Sequence, residues 1–545
     1  MIRNLLIRAL LWLVLLLGIE QMVRGLGIGP GDPDGESKSG PNTFGSEEET
    51  FFVRAWAFDG VTVFDEDELK ELLANYSGIK ISFAQIKSVA SQIEKYYEKN
   101  GFLAQATVPP QDVSSGLVRI EVQEAYLGEI RIEKGSSSLV RDSRILSIVA
   151  ASLNKGELYD ADSLNRGLLL ADDLSGVSLT GFLQEGSAPG LVDLHLKTLK
   201  EAKATAELSI DNANARALGS ERIVFSGRLV SPLKMAEVFS FKSLLSEGSF
   251  YRSLSASVPL ASTGLKLRLY FSKLSYDVVA DEFKALNISG EVEEEGLELT
   301  YPLYRTSKAN LYWSVTMDNR AYSTEVSGTS VKDSLIKSQS TQLSGNLFDE
   351  IGGGGANAAS LSFARGDLGG FGGLPSMVGG YSIFNYSLSR QQAFTDKLSL
   401  FASMRGQFTD GLSSGSGQED YLDSAENFSL GGLYGVRAYP SGEATGAQGR
   451  LISMELRYLL SPSLVLRPHY DWGKVEKRNI SSGGPGEYEI SGAGLGLSWT
   501  APWSLNVQAT LARRIGSNPN PQLSGSDQDG SFKENRLWLA VSRSF

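Results

Sequence analysis

The stretch GGLYGVRAYPSGEATGAQG, residues 431–449, running into RLISMELRY, residues 450–458, decides the fold. In its second half Ile452, Met454, Leu456 and Tyr458 alternate with Ser453, Glu455 and Arg457, the period of a strand with one apolar and one polar face. The first half breaks that pattern. Its glycines and Pro440 suit a loop, yet a permanent cation, Arg437, stands between Val436 and Ala438. If these strands cross a membrane, an arginine facing lipid at mid-bilayer costs about 2–4 kcal/mol. The segment is therefore expected to leave the wall and tuck Arg437 into a polar lumen.

The same alternation continues in both directions. In KATAELSID, Ala204, Ala206, Leu208 and Ile210 oppose Lys203, Thr205, Glu207 and Ser209; Leu505, Val507, Ala509 and Leu511 oppose Asn506, Gln508 and Thr510. The chain ends NRLWLAVSRSF, with Leu537, Leu539, Val541 and Phe545 on one face. A soluble β-sandwich or propeller alternates too, but here Trp and Tyr fall near strand ends, as in membrane-interface belts. At about 9–11 residues per tilted strand plus connections, residues 201–545 suit about sixteen strands. The expected fold is a transmembrane antiparallel β-barrel, closing on its C-terminal strand, with residues 431–449 as a lumenal loop.

Composition limits the rest. The 545 residues exceed one ordinary core, so at least two structural units are expected, and 59 glycines favour strands and turns over helix bundles. A net charge of −12 argues against nucleic acid, whose phosphates need a clustered basic face. Zero cysteines exclude disulfides and thiolate sites. Arg3 and Arg8 precede an apolar run, residues 9–19, short enough for a signal-peptide core, so residues 1–25 read as a signal peptide. MVRGLG is a poor small-x-small cleavage site, which keeps an N-terminal anchor as the alternative. Residues 26–50, rich in Gly, Pro, Ser and acid, read as a flexible linker.

Two small α+β modules follow, residues 51–126 and 127–200. FFVRAWAF (51–58) reads as a strand, and Asp65 with Glu68 as a capping box for a helix bearing Leu69, Leu72, Leu73 and Tyr76. Ser82 and Gln85 repeat the box for a helix with Ile86, Val89, Ala90, Ile93 and Tyr97 on one face, stopped at Gly101. LVRIEVQ then buries Val118, Ile120 and Val122. A similar order recurs through GEIRIEKG, two helices around Ile145 and Leu164, VSLTGFLQ and LVDLHLK.

Chemistry is sparse. Only two histidines exist; His195 shares a polar strand face with Asp193 and Lys197 and reads as exposed and structural, while His469 shares the lumen face with Arg467 and Asp471. Neither has the companions of a metal site or catalytic triad. GGGG (352–355) lacks the Lys-Ser/Thr of a phosphate loop, and SGAGLGLSW (491–499) alternates as a barrel strand with a smooth inner wall. No catalytic residue, metal or cofactor is expected.

Taken together, VPPQDVSSGLVRIEV (108–122), LNRGLLLADDLSGVSL (164–179), ELSIDNANARALGSER (207–222), FSLGGLYGVRAYPSGEATGAQG (428–449) and HYDWGKV (469–475) resemble the outer-membrane transporters of two-partner secretion, the TpsB or haemolysin secretion/activation type. The resemblance covers almost the whole mature chain. It implies a 16-stranded barrel with two periplasmic POTRA domains that pass an unfolded, TpsA-like exoprotein to the cell surface, without enzymatic activity. It carries the lumenal loop motif onto Gly431, Gly432, Val436, Arg437, Ala438 and Tyr439, with Asp471 as the loop-anchoring partner; Asp471 independently falls on the polar parity of its strand. Ala438 stands where the wider superfamily often has glycine, and the short, Gly/Pro-rich 26–50 segment implies that the plug helix of some relatives is absent. An edge strand at residues 103–108, beside the helix at 82–99, is expected to capture the client by strand addition, through Ile93, Tyr96, Tyr97, Leu103, Ala106 and Val108. Further partners expected are outer-membrane lipid and the barrel assembly machinery, the latter through Phe545. The alternatives are an outer-membrane insertase of the same superfamily, a passive porin, and an outer-membrane enzyme.

Overall fold

A computed structural model describes residues 50–153, 155–371, 379–413, 422–476 and 486–545. The signal peptide, nearly all of the linker and the plug-helix question therefore lie outside the described residues. The chain groups into two compact units. The first holds the first small domain and most of the second; the other is the barrel together with residues 137–148 and 169–178.

The first domain comprises β1 (Thr50–Val53), β2 (Ala55–Asp59), α1 (Glu66–Leu72), β3 (Ile79–Ser82), α2 (Phe83–Lys99), β4 (Ala104–Thr107) and β5 (Leu117–Glu124). The single strand expected at 51–58 is split at Arg54. The Gly116 carbonyl accepts from both Arg54 and Ala55 N–H, so β1 turns to pair with β3 while β2 pairs with β5. The resulting sheet has the order β2-β5-β4. Ser82 forms the expected capping box with Gln85. Asp65 is the N-cap of α1 but makes no side-chain cap bond; Glu68 instead accepts from the Tyr96 hydroxyl. Ile86, Val89, Ala90, Ile93 and Tyr97 pack down onto Val118, Ile120 and Val122.

One buried carboxylate ties this core together. Glu124 accepts Thr62 N–H at 2.8 Å, Val63 N–H at 3.0 Å and the Tyr97 hydroxyl at 2.8 Å. Burial pushes its carboxyl up, but the bonds from Thr62, Val63 and Tyr97 outweigh that and hold it below the usual carboxylate range. Burial, then the Glu124 bond, raises the Tyr97 hydroxyl. Because the Glu124 carboxyl is depressed in the fold, its stabilisation is complete above the unfolded value, about 4.3, and is lost as pH falls through the folded one. Glu124→Ala takes the acceptor from two backbone donors and from the hydroxyls of Thr62 and Tyr97, and is expected to destabilise the domain by about 2–4 kcal/mol. Denaturant melts should show that difference at pH 7 and shrink it below pH 4.

The second domain comprises β6 (Tyr126–Ile132), α3 (Asp142–Ser152), α4 (Ala161–Asp172), β7 (Val177–Glu185) and β8 (Leu191–Lys200), with sheet order β6-β8-β7. His195 is not exposed as its parity suggested. It lies half-buried, stacked 5.6 Å from Phe182 with Nδ1 against Glu133, and so stays a structural residue.

Sixteen antiparallel strands then close into a barrel, the first (Ala204–Asp211) pairing with the last (Asn535–Ser544). Phe545 continues that seam, exchanging backbone bonds with Ala206 at 2.8 and 3.1 Å. The burial is inside out: Glu455 is 6% exposed where Leu456 is 38%, and Asp471 is 1% where Tyr470 is 41%. A soluble sandwich would bury the leucine and expose the acid; a barrel in lipid does the reverse. Tyr304, Tyr458, Trp499 and Trp503, all exposed, lie near the strand ends at the rim where the chain enters and leaves the barrel, as an interfacial girdle requires.

Candidate functional site

The loop between strands Leu398–Ser413 and Gln448–Ser461 turns inward, and its described part, 422–447, packs inside the barrel. It re-enters the wall at Gln448, so Gly449, expected in the loop, is already strand. The residues 430–440 form a tight knuckle: Val436 N–H donates to Leu430 carbonyl at 2.6 Å, and Gly432 N–H to Tyr439 carbonyl at 3.0 Å. A Cβ on Gly431 would lie 1.9 Å from the Pro440 carbonyl oxygen, and Gly432 has φ +97°, so both positions need glycine. Val436, Ala438 and Tyr439 are buried, and the Arg514 guanidinium stacks 5.0 Å from the Tyr439 ring.

Arg437 sits at the tip of this knuckle against Asp471. Its Nε and Nη2 donate to the two Asp471 oxygens at 2.8 Å each, and its backbone N–H adds a third bond at 3.1 Å. Nη1 donates to Glu455 at 3.0 Å; Glu455 also accepts from Arg457 at 3.0 Å. The Arg437 carbonyl accepts from Trp538 Nε1 at 2.8 Å, so a strand at the closing seam holds the same residue. Such a planar, bidentate pairing is what arginine provides and lysine does not. The wall beneath is smooth for a reason: a Cβ on Gly492 would lie 2.5 Å from Ala438 Cβ. Gly492→Val is accordingly expected to unseat the loop without breaking the barrel, giving proteolysis within 431–447 that the parent resists.

A second set of contacts caps the loop from residues 516–534. Buried Glu443 accepts from Asn518 and from Gln528 N–H, the latter at 2.8 Å, and burial pushes its carboxyl above the usual range. Arg514 and Arg536 both meet Asp527 at 2.8 Å. Parity places Glu455 on the lumen face but does not single it out, and Glu443, Trp538 and the 516–534 cap carry no local motif.

The client-binding set fares differently. Ile93 and Tyr97 are 0% exposed and Ala106 7%, all in the domain core, because the α2 stripe that looked available faces its own sheet. Those three side chains cannot touch a client while the domain is folded. Tyr96, Leu103 and Val108 remain partly exposed, and β4 is an outer strand as expected. Among the described residues there is no cluster of three or more metal-ligating side chains.

Comparison with known proteins places this architecture. The chain is 24% identical over 507 residues to the heme/hemopexin transporter protein HuxB of Haemophilus influenzae, covering 88% of this chain and 84% of the relative. Among solved structures it resembles CdiB from Escherichia coli, with a TM-score of 0.70 at 19% identity over 93% of each chain. BamA from Haemophilus ducreyi lacking POTRA domains 1–3 shares the fold less closely, at TM-score 0.54 and 13% identity over 91% of this chain and all of that one. The ShlB-type POTRA family matches residues 51–125. The family model described as haemolysin secretion/activation protein ShlB/FhaC/HecB matches residues 190–499, more than half of the sequence, and the chain belongs to that family.

Proposed function

We propose that this chain carries a TpsA-like partner exoprotein across the outer membrane by two-partner secretion, with residues 51–126 and 127–200 as periplasmic POTRA domains and 201–545 as the conduit. The single observation that carries the reading is the loop held inside a closed barrel by Arg437 on Asp471 and Glu455. A passive porin needs neither an occupant of that kind nor periplasmic modules, and the family match favours secretion over membrane-protein assembly. The loop residues Gly431, Gly432, Val436, Arg437, Ala438 and Tyr439 act as a plug seated on Asp471, and the exposed end Phe545 as the contact for the barrel assembly machinery. Outer-membrane lipid meets the apolar outer wall. The family is one of transporters, and we assign no enzymatic step.

Client capture belongs to the outer strand β4, through backbone groups more than through side chains. Co-expression with a candidate exoprotein tests the whole: the client should reach the medium with the intact transporter. A client that stays in the periplasm beside a folded barrel rejects the reading.

A further inference from the structure

The free edge of the first domain already holds an occupant. β5 takes up only half of the backbone groups of β4: Ala125 donates to the Leu103 carbonyl at 2.8 Å, and the register pairs Gln105 with Gln123 and Thr107 with Glu121. By the alternation of an antiparallel ladder, Ala104 and Ala106 point N–H and C=O outward. Helix α2 runs beside this edge, and Glu94, the residue after buried Ile93, reaches across it. Glu94 Oε1 accepts the Ala106 N–H at 3.0 Å. A cleft of about 520 Å³ opens at the start of β4, between Leu103, Ala104, Gln105 and Gln123 on one side and Gly190 and Leu191 on the other. Val108 is the last outward-facing residue that can donate, because the next such position, Pro110, has no N–H, which confines any added strand to residues 104–108.

We propose that Glu94 is an intramolecular stand-in for a client carbonyl: an extended segment of the exoprotein adds to β4 by displacing the Glu94 carboxylate from Ala106. This rests on the secretion reading above. A carboxylate bond to an edge N–H is charge-assisted and stronger than the carbonyl bond replacing it, so binding is a competition that the client wins only by also engaging Ala104 and the Ala106 carbonyl. The freed carboxylate then stands beside the added strand, which favours a lysine or arginine there. The arrangement also protects an exposed edge from unwanted pairing.

The test uses the full chain in detergent micelles and a labelled, blocked heptapeptide of alternating threonine and valine ending in serines, uncharged so that only the competition for the Ala106 N–H is read. Glu94→Ala should bind it about tenfold tighter than the parent, the worth of roughly one charged hydrogen bond. Glu94→Gln should fall between, and a peptide N-methylated at alternate amides should bind none of them. Without peptide, Glu94→Ala should speed amide exchange at Ala106 and leave Gln105 and Thr107 unchanged. Equal or weaker binding by Glu94→Ala, with Ala106 exchange raised, overturns the proposal. So does failure of parent and variants alike to bind the peptide; the co-expression result then still decides the secretion reading separately.

Discussion

Arg437→Ala is expected to cut secretion of the exoprotein by tenfold or more while leaving a barrel that still shows heat-modifiable migration. The substitution removes both bonds to the Asp471 oxygens from the guanidinium and the bond to Glu455. Asp471 keeps the backbone N–H of residue 437, and Glu455 keeps Arg457, but two buried carboxylates lose their shared cation. Breaking one side of such a buried pair costs about 3–5 kcal/mol, enough to shift the seated fraction of the loop by about 100-fold or more. The strand ladder takes no part in this loss, so assembly should survive. Arg437→Lys should recover part of the activity, since it restores charge without the planar fork. The measurement is exoprotein in the medium per unit of heat-modifiable transporter. Full secretion by Arg437→Ala would sink the role assigned to the pair.

How much of this was legible in the sequence follows from which forces act locally. The barrel was, because lipid on one side and water on the other impose a period of two on every strand, and that period is visible in residues 452–458. The side on which Asp471 points was legible for the same reason. Its meeting with Arg437 was carried by the family resemblance, since parity says which groups face the lumen but not which of them touch. Glu455 shows the limit: it shares that face with Arg457, yet nothing nearby distinguishes a network member from a wetted wall residue. The apolar stripe Ile86, Val89, Ala90, Ile93 and Tyr97 misled in one respect. Helical spacing identifies a sticky face, and the nearest partner for such a face is the domain's own sheet, so Ile93 and Tyr97 were spent on the core. The break at Arg54 was hidden because it is caused by the Gly116 carbonyl, more than sixty residues away in sequence.

Arg437→Ala alone should not open a large pore, because the loop has a second anchorage six strands further round the wall. Arg320, on strand Ala309–Val326, meets Glu426 at 2.6 Å and Asp318 at 2.9 Å, and Lys332, on strand Thr329–Asp349, meets Asp423 at 2.9 Å. Gln407 donates to the carbonyls of Glu426 at 2.7 Å and Ala447 at 3.0 Å, joining the two limbs of the loop. Leu422 and Ala447 pack with Ile336, Leu368, Tyr381 and Ile383 over the same side. Freeing the tip therefore leaves both limbs tethered, and freeing the Arg320 side leaves the tip on Asp471. Each single variant is expected to conduct near the parent level in planar bilayers. The Arg320→Ala, Arg437→Ala double variant should conduct several-fold more, about threefold or above, because two sites holding one element couple instead of adding. A sixteen-stranded wall emptied of its loop is wide enough for an aqueous channel. Strict additivity of the two single effects would mean that the two anchorages hold independent parts of the loop, and a large pore from Arg437→Ala alone would mean that the Arg320 side bears no load.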